Sequence, residues 1–213
     1  MKISFYKTKG FWISVAVCAL PIVLGAFLYN KLPDSIATSF DMNFKPNGYS
    51  PKWQAAFIIP SFMLLMNVFV WFILEADPKR AAINGKIKSI ARWIIPVLSC
   101  FVQSAMLLYA VDESINLVRF LPLLMGLLII VIGNYLPKCK QNYTTGIKLP
   151  WTLASEENWN RTHRLAGKLF IIAGFAMALF TFFNIALYIP FAILIIAATV
   201  PTIYSYMLYR KNI

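Results

Sequence analysis

The chain's one histidine, His163, falls inside a single long polar stretch, Gly133–Gly167 (GNYLPKCKQNYTTGIKLPWTLASEENWNRTHRLAG), dense in Asn, Trp, Pro and Gly. Imidazole is the side chain suited to proton transfer near neutral pH, so His163 is the first candidate for acid–base chemistry. Such chemistry needs a nucleophile, a carboxylate or a metal beside it, and none stands at a recognisable spacing. Glu156 and Glu157 are adjacent on a helical pattern and point apart. No zinc-ligand spacing, phosphate-binding loop or nucleophile elbow occurs. No catalytic residue, metal site or cofactor is therefore expected, and the stretch reads as a binding or functional cap. Asn134, Asn142 and His163 are its candidates for specific contacts. Tyr143, Trp151 and Trp159 also suit the headgroup level of a bilayer, with Lys and Arg on lipid phosphates.

The stretch has internal order. Ser155 has the character of an N-cap, and Glu156 and Glu157 follow in the first turn, where negative charge complements the helix dipole. A helix starting there runs unbroken into an apolar span. On it Trp159, His163 and Gly167 are spaced i, i+4, i+8 and share one face. Gly167, and Gly174 beyond it, suit a closely approaching neighbour. Pro150-Trp151-Thr152 reads as a rigid extended step, Gly146 as a turn, and Asn134 as a residue facing His163 or Arg164.

The elements that position this cap are apolar. Of 213 residues 60% are hydrophobic and only 13% charged, with a mean hydropathy of +0.68, well outside the range of soluble domains. Charge-free runs occupy Gly10–Asn30, Trp53–Leu74, Trp93–Val111 and Phe120–Pro137, each close to the ~20 residues a spanning helix needs. The first, behind a basic N-terminus, is read as a retained helix and not as a signal peptide. From Leu169 to Tyr209 no charge appears for 41 residues. As one helix this would reach ~60 Å, roughly twice the hydrocarbon thickness, so the run folds back, with Asn184 and Pro190 marking the turn. The expected fold is all-α: a polytopic membrane bundle of six transmembrane helices, with a structured loop, 137–165, between the fourth and fifth. Residues 31–53, punctuated by Pro33, Pro46, Pro51 and Asn47-Gly48, read as a loop. Asp77-Pro78 reads as the start of a short surface helix.

Six spans put both termini on one side. The termini with 75–92 and 137–168 carry 16 of the 20 Lys and Arg residues, and the opposite loops carry 4. The positive-inside rule places both termini and the Gly133–Gly167 loop in the cytoplasm and the 31–53 loop outside. The net charge of +12 lies at the ends of apolar runs and forms no basic stripe with interleaved aromatics, so no direct nucleic-acid binding is expected. Cys18, Cys100 and Cys139 make no even framework and read as unpaired. No ionisable residue lies deep in a span, which argues against a proton-coupled transporter. Asn67 and Gln103 read as interhelical hydrogen-bonding groups, and Thr199, Thr202 and Ser205 as partners of backbone carbonyls or a neighbouring helix.

The polar stretch resembles the signature of the SdpI family, bacterial multi-pass membrane immunity proteins. The resemblance is carried by Gly133-Asn134, Pro137-Lys138, Asn142, Gly146-Ile147-Lys148, Pro150-Trp151-Thr152-Leu153, Trp159, Thr162-His163-Arg164 and Gly167. Residues 31–53 resemble the small domain of unknown function that often precedes this signature, through Leu32-Pro33-Asp34 and Asn47-Gly48-Tyr49, with Ser39 where relatives often carry His. The division implied is an N-terminal helical hairpin, 1–75, with extracellular loop 31–53, and an SdpI-like four-helix region, 76–213, with signature loop 133–167. The resemblance implies a bacterial cell-membrane protein that protects the cell from a secreted toxic peptide. It also implies a signalling role, in which the protein recruits a cognate transcriptional repressor to the membrane. Membrane lipids are the remaining expected partner. Two other readings stand beside it: a small permease or lipid-handling protein, and a membrane-embedded enzyme using His163.

Overall fold

The computed structural model describes residues 5–115, 117–183 and 188–212. In chain order its elements are α1 (Lys9–Leu28), strands β1 (Ser35–Phe40) and β2 (Pro46–Pro51), α2 (Ile59–Ala76), α3 (Gly85–Val111), α4 (Leu121–Tyr135), the short α5 (Pro150–Ala154), α6 (Glu156–Phe182) and α7 (Tyr188–Arg210). Among the described residues, six helices are long and apolar enough to cross a membrane; with their end turns they cover Lys9–Lys31, Gln54–Ala76, Gly85–Val111, Leu121–Lys138, Glu156–Phe182 and Tyr188–Arg210. The periodicity of these helices is weak because lipid lets apolar side chains face outward. Phe27, Phe62, Leu65, Phe182 and Ile195 are all exposed. The reversal expected at Asn184 lies outside the described residues, and Pro190 sits in the first turn of α7, where its missing N–H costs no helical bond.

The chain divides into two compact units, Met1–Glu75 with Ala91–Leu121, and Ala76–Ile90 with Pro122–Ile213. In the first, residues 31–53 hold an antiparallel hairpin and not an irregular loop. Ser35 pairs with Pro51, Ile36 with Ser50 and Ala37 with Tyr49. Ile36 points into a core of Leu28, Leu32, Ala55, Ala56, Met106 and Leu107, and Ala37 is buried as well. Asn47-Gly48 is not the turn; both residues lie in β2. Asp41 makes the turn instead: its Oδ1 accepts the backbone N–H groups of Asn43 and Lys45, each at 2.8 Å, and Phe44 adopts φ 59°. Ser39 Oγ donates across the strands to Asn47 Oδ1 at 2.7 Å. Asp34 pairs with Lys52 at 2.9 Å at the mouth of the hairpin, and this contact lowers the Asp34 carboxyl pKa. Pro33, Asp34, Asn47 and Tyr49 are exposed, whereas Leu32 is core.

In the second unit, α4 and α6 run antiparallel and meet through two glycine pairs. A Cβ on Gly126 would lie 2.6 Å from the Gly174 carbonyl oxygen, and one on Gly167 would lie 2.7 Å from that of Gly133 and from the Pro137 ring. On each helix the two glycines are seven residues apart, about two turns, so one seam is formed twice. Asp77-Pro78 does not open a surface helix. α2 ends at Ala76, a 3₁₀ turn occupies Arg80–Ala82, and Asp77 turns inward. Gly167→Leu is expected to lower membrane abundance and the thermal unfolding midpoint in detergent, by the roughly 1–3 kcal/mol that overpacking costs. Gly85→Ala, with nothing within 4 Å of an added Cβ, is expected to change neither.

Candidate functional site

The polar stretch folds onto the first turns of α6. Ser155 caps that helix, its Oγ accepting the Asn158 N–H at 3.2 Å. Pro150-Trp151-Thr152 is not an extended step: it forms α5, with Pro150 at the first helical position, where a fixed φ is preorganised for a helix. Thr152 Oγ1 accepts the Leu149 N–H at 2.8 Å and lies 2.9 Å from the Ile147 carbonyl, to which it can donate.

His163 and Trp159 stack with ring centroids 4.0 Å apart, and both are essentially inaccessible. The Trp159 indole N–H donates to the Cys139 carbonyl at 2.7 Å. His163 Nε2 accepts the Ile147 N–H at 3.0 Å, which assigns the proton to Nδ1, which donates to the Trp159 carbonyl at 2.7 Å. The neutral ring is thus fully used, and protonating Nε2 would remove the acceptor that holds Ile147. Gly146 sits against this pair with φ +103°, and a Cβ there would collide with His163 Nε2 and lie 3.0 Å from the Trp159 ring. Only glycine meets both demands.

Asn142 organises the preceding turn and is completely buried. Its Oδ1 accepts the N–H groups of Thr144 (2.9 Å) and Thr145 (2.6 Å) and the Thr145 hydroxyl (3.1 Å), and its Nδ2 donates to the Lys140 carbonyl at 2.8 Å. Cys139 lies beneath, with burial pushing its thiol pKa up against partial offset from Thr145 and Asn142. It is a packing thiol and not a nucleophile.

Asn142, Gly146, Thr152, Trp159 and His163 are therefore brought together. Gly167 packs on Gly133 and Pro137 farther along α6. Of the two partners expected for Asn134, His163 is engaged by Ile147 and Trp159; Asn134 and Arg164 are both exposed. Trp151 stands edge-on to Tyr206 and stacked on Tyr209 of α7, at 5.5 and 6.0 Å, an aromatic group of the kind found at membrane interfaces.

Three residues not among the expected site residues complete the cap. Asp77 is 3% exposed, and its Oδ2 accepts the Tyr143 N–H (3.1 Å) and the Thr144 hydroxyl (2.5 Å). Gln141 donates to the Thr152 and Leu153 carbonyls and accepts from Lys79 Nζ at 3.0 Å. Asn158 joins α6 to α7, donating to the Ser205 carbonyl at 2.9 Å and accepting the Ser205 hydroxyl at 2.8 Å. The one sequence signal for Asp77 was its place in a polar run before proline, which equally suited a helix start. Among the described residues no group of three or more His, Cys, Asp or Glu is placed to hold a metal ion. The outer surface carries exposed Lys138, Lys140, Lys148, Arg161, Arg164 and Lys168.

Six lipid-facing helices with a self-bonded polar cap define a multi-pass cell-membrane protein. Residues 138–205 match the SdpI/YfhL protein family, and residues 16–64 match a domain of unknown function, DUF1648. The chain is 27% identical to the "Immunity protein SdpI" of Bacillus subtilis (strain 168) over 201 residues, covering 93% of this chain and 95% of that protein. It is an SdpI-like membrane protein. No solved structure matches it significantly.

Asn142→Ala is expected to strand several buried backbone and hydroxyl donors and to cost on the order of 2–3 kcal/mol, read as a lower thermal unfolding midpoint. Gly146→Ala is expected to be at least as damaging. Cys139 is expected to resist maleimide at neutral pH until the protein is unfolded, checked by mass spectrometry of labelled peptides.

Proposed function

We propose that this protein is an immunity protein that protects its cell from a secreted toxic peptide. The observation that carries the reading is the similarity to an immunity protein along nearly the whole of both chains, covering the hairpin, the spans and the cap together. On this reading the two termini and the cap face the cytoplasm, which the excess of Lys and Arg in those segments supports, and the β1–β2 hairpin meets the outside. The cap's exposed cations would hold it against anionic headgroups. The same surface is where a cytoplasmic partner, such as a cognate transcriptional repressor, would dock.

The cap's part in protection is architectural. Both nitrogens of His163 are spent inside the protein, which supports a non-enzymatic role. Expression in a sensitive bacterium challenged with secreted membrane-active peptides is expected to raise survival. Across His163→Ala and His163→Gln, protection is expected to fall in proportion to membrane abundance. Loss of protection at undiminished abundance would assign His163 a chemical role instead.

A further inference from the structure

One face of α6 is uncovered, and its chemistry changes once along its length. Arg161, Arg164, Lys168, Ile172, Phe175 and Leu179 follow one another at steps of three or four residues, so they form one line on the helix. All six are exposed. The opposite face, with His163, Gly167 and Gly174, is buried. The line passes from cations to apolar side chains just past Lys168, where the charge-free part of the span begins.

The cations at the top of this line are not equivalent. Arg161 is neutralised by Glu157 at 2.6 Å. Elsewhere in the cap Lys138 lies over the Tyr135 ring at 4.8 Å, and Lys148 Nζ donates to the Thr144 carbonyl at 3.1 Å. On α6, Arg164 and Lys168 have no side-chain partner among the described residues. They are one turn apart, ~6 Å along the axis, so their flexible side chains can converge on one anion. Ile172 and Leu179 lie ~6 and ~16 Å beyond Lys168, which matches one leaflet of a ~30 Å hydrocarbon core. A soluble anion would pair with the cations and leave the apolar line bare. A zwitterionic lipid would cover that line but bring its own headgroup cation to the two basic side chains. A lipid with a net negative headgroup matches both parts at once. We propose that the Arg164–Lys168 face of α6 is a binding site for an anionic phospholipid of the leaflet beside the cap, its phosphate between the two cations and a chain along Ile172, Phe175 and Leu179. This narrows the general attraction of the cap for headgroups to two residues, and it does not rest on the protection reading.

The test is native mass spectrometry of the full chain in detergent, titrated with phosphatidylglycerol or with phosphatidylcholine of the same acyl chains. The wild type is expected to bind phosphatidylglycerol at least about fivefold more tightly. Arg164→Gln and Lys168→Gln are each expected to weaken that binding about fivefold, the effect of one cation at an anionic surface, and Arg164→Lys to retain it. Both positions are exposed, so the unfolding midpoint in phosphatidylcholine is expected to stay unchanged in all three variants. Lys148→Gln, and Glu157→Gln combined with Arg161→Gln, are expected to bind as the wild type does. Equal affinity for the two lipids, or equal losses in these last two variants, would overturn the site. So would displacement of the lipid by inorganic phosphate at equal concentration, which would leave a soluble-anion site in its place.

Discussion

A non-helical segment beside a membrane bundle must find partners for its own backbone. Residues 139–149 form such a segment, and side chains supply those partners. Asn142 closes the 142–145 turn, Asp77 takes the N–H of Tyr143, His163 takes the N–H of Ile147, and Thr152 takes that of Leu149. Each acceptor is buried, so each bond forms where water competes poorly and its loss leaves an uncompensated donor. The rigidity of the cap follows from this saturation. So does its chemical quietness, because a histidine with both nitrogens engaged and no access to solvent has no proton to exchange with a substrate.

Glycine supports the same arrangement from below. The Gly126–Gly174 and Gly133–Gly167 approaches bring the α4 and α6 backbones close enough that van der Waals contact, not the hydrophobic effect, holds them, as is usual for helices that both face lipid. The close approach at Gly133–Gly167 also sets Pro137 against α6, and the polar segment begins two residues later at Cys139, whose carbonyl accepts the Trp159 indole N–H. Helix packing and loop geometry are therefore coupled through a few residues at the end of α4.

The two units differ in how far buried polarity is satisfied. In the second unit Asn158 and Ser205 satisfy each other between α6 and α7, and the cap's asparagine, histidine and aspartate are all engaged. In the first, Asn67 Oδ1, Trp71 Nε1, Arg92 Nε and Gln103 Oε1 are buried without a hydrogen-bond partner, and in the second the Trp151 indole N–H is too. A saturated network specifies one structure, whereas an open one leaves bonding capacity for something else.

Much of this was present in local sequence. Charge-free runs set the six spans because a bilayer imposes a length and excludes charge, and neither depends on the rest of the fold. Ser155 was legible as an N-cap, and Trp159, His163 and Gly167 as one face, because capping and helical period act within a few residues. The hairpin, the helical form of Pro150–Ala154, the inward turn of Asp77 and the Asn158–Ser205 bridge were decided by tertiary structure. Asp77 and Thr144 are 67 residues apart and Asn158 and Ser205 are 47 apart, and pairings at such separations leave no periodic trace. Asn134 shows the converse: its place at the end of the fourth helix suggested His163 or Arg164 as a partner, and His163 is instead engaged by Ile147 and Trp159 while Asn134 is exposed.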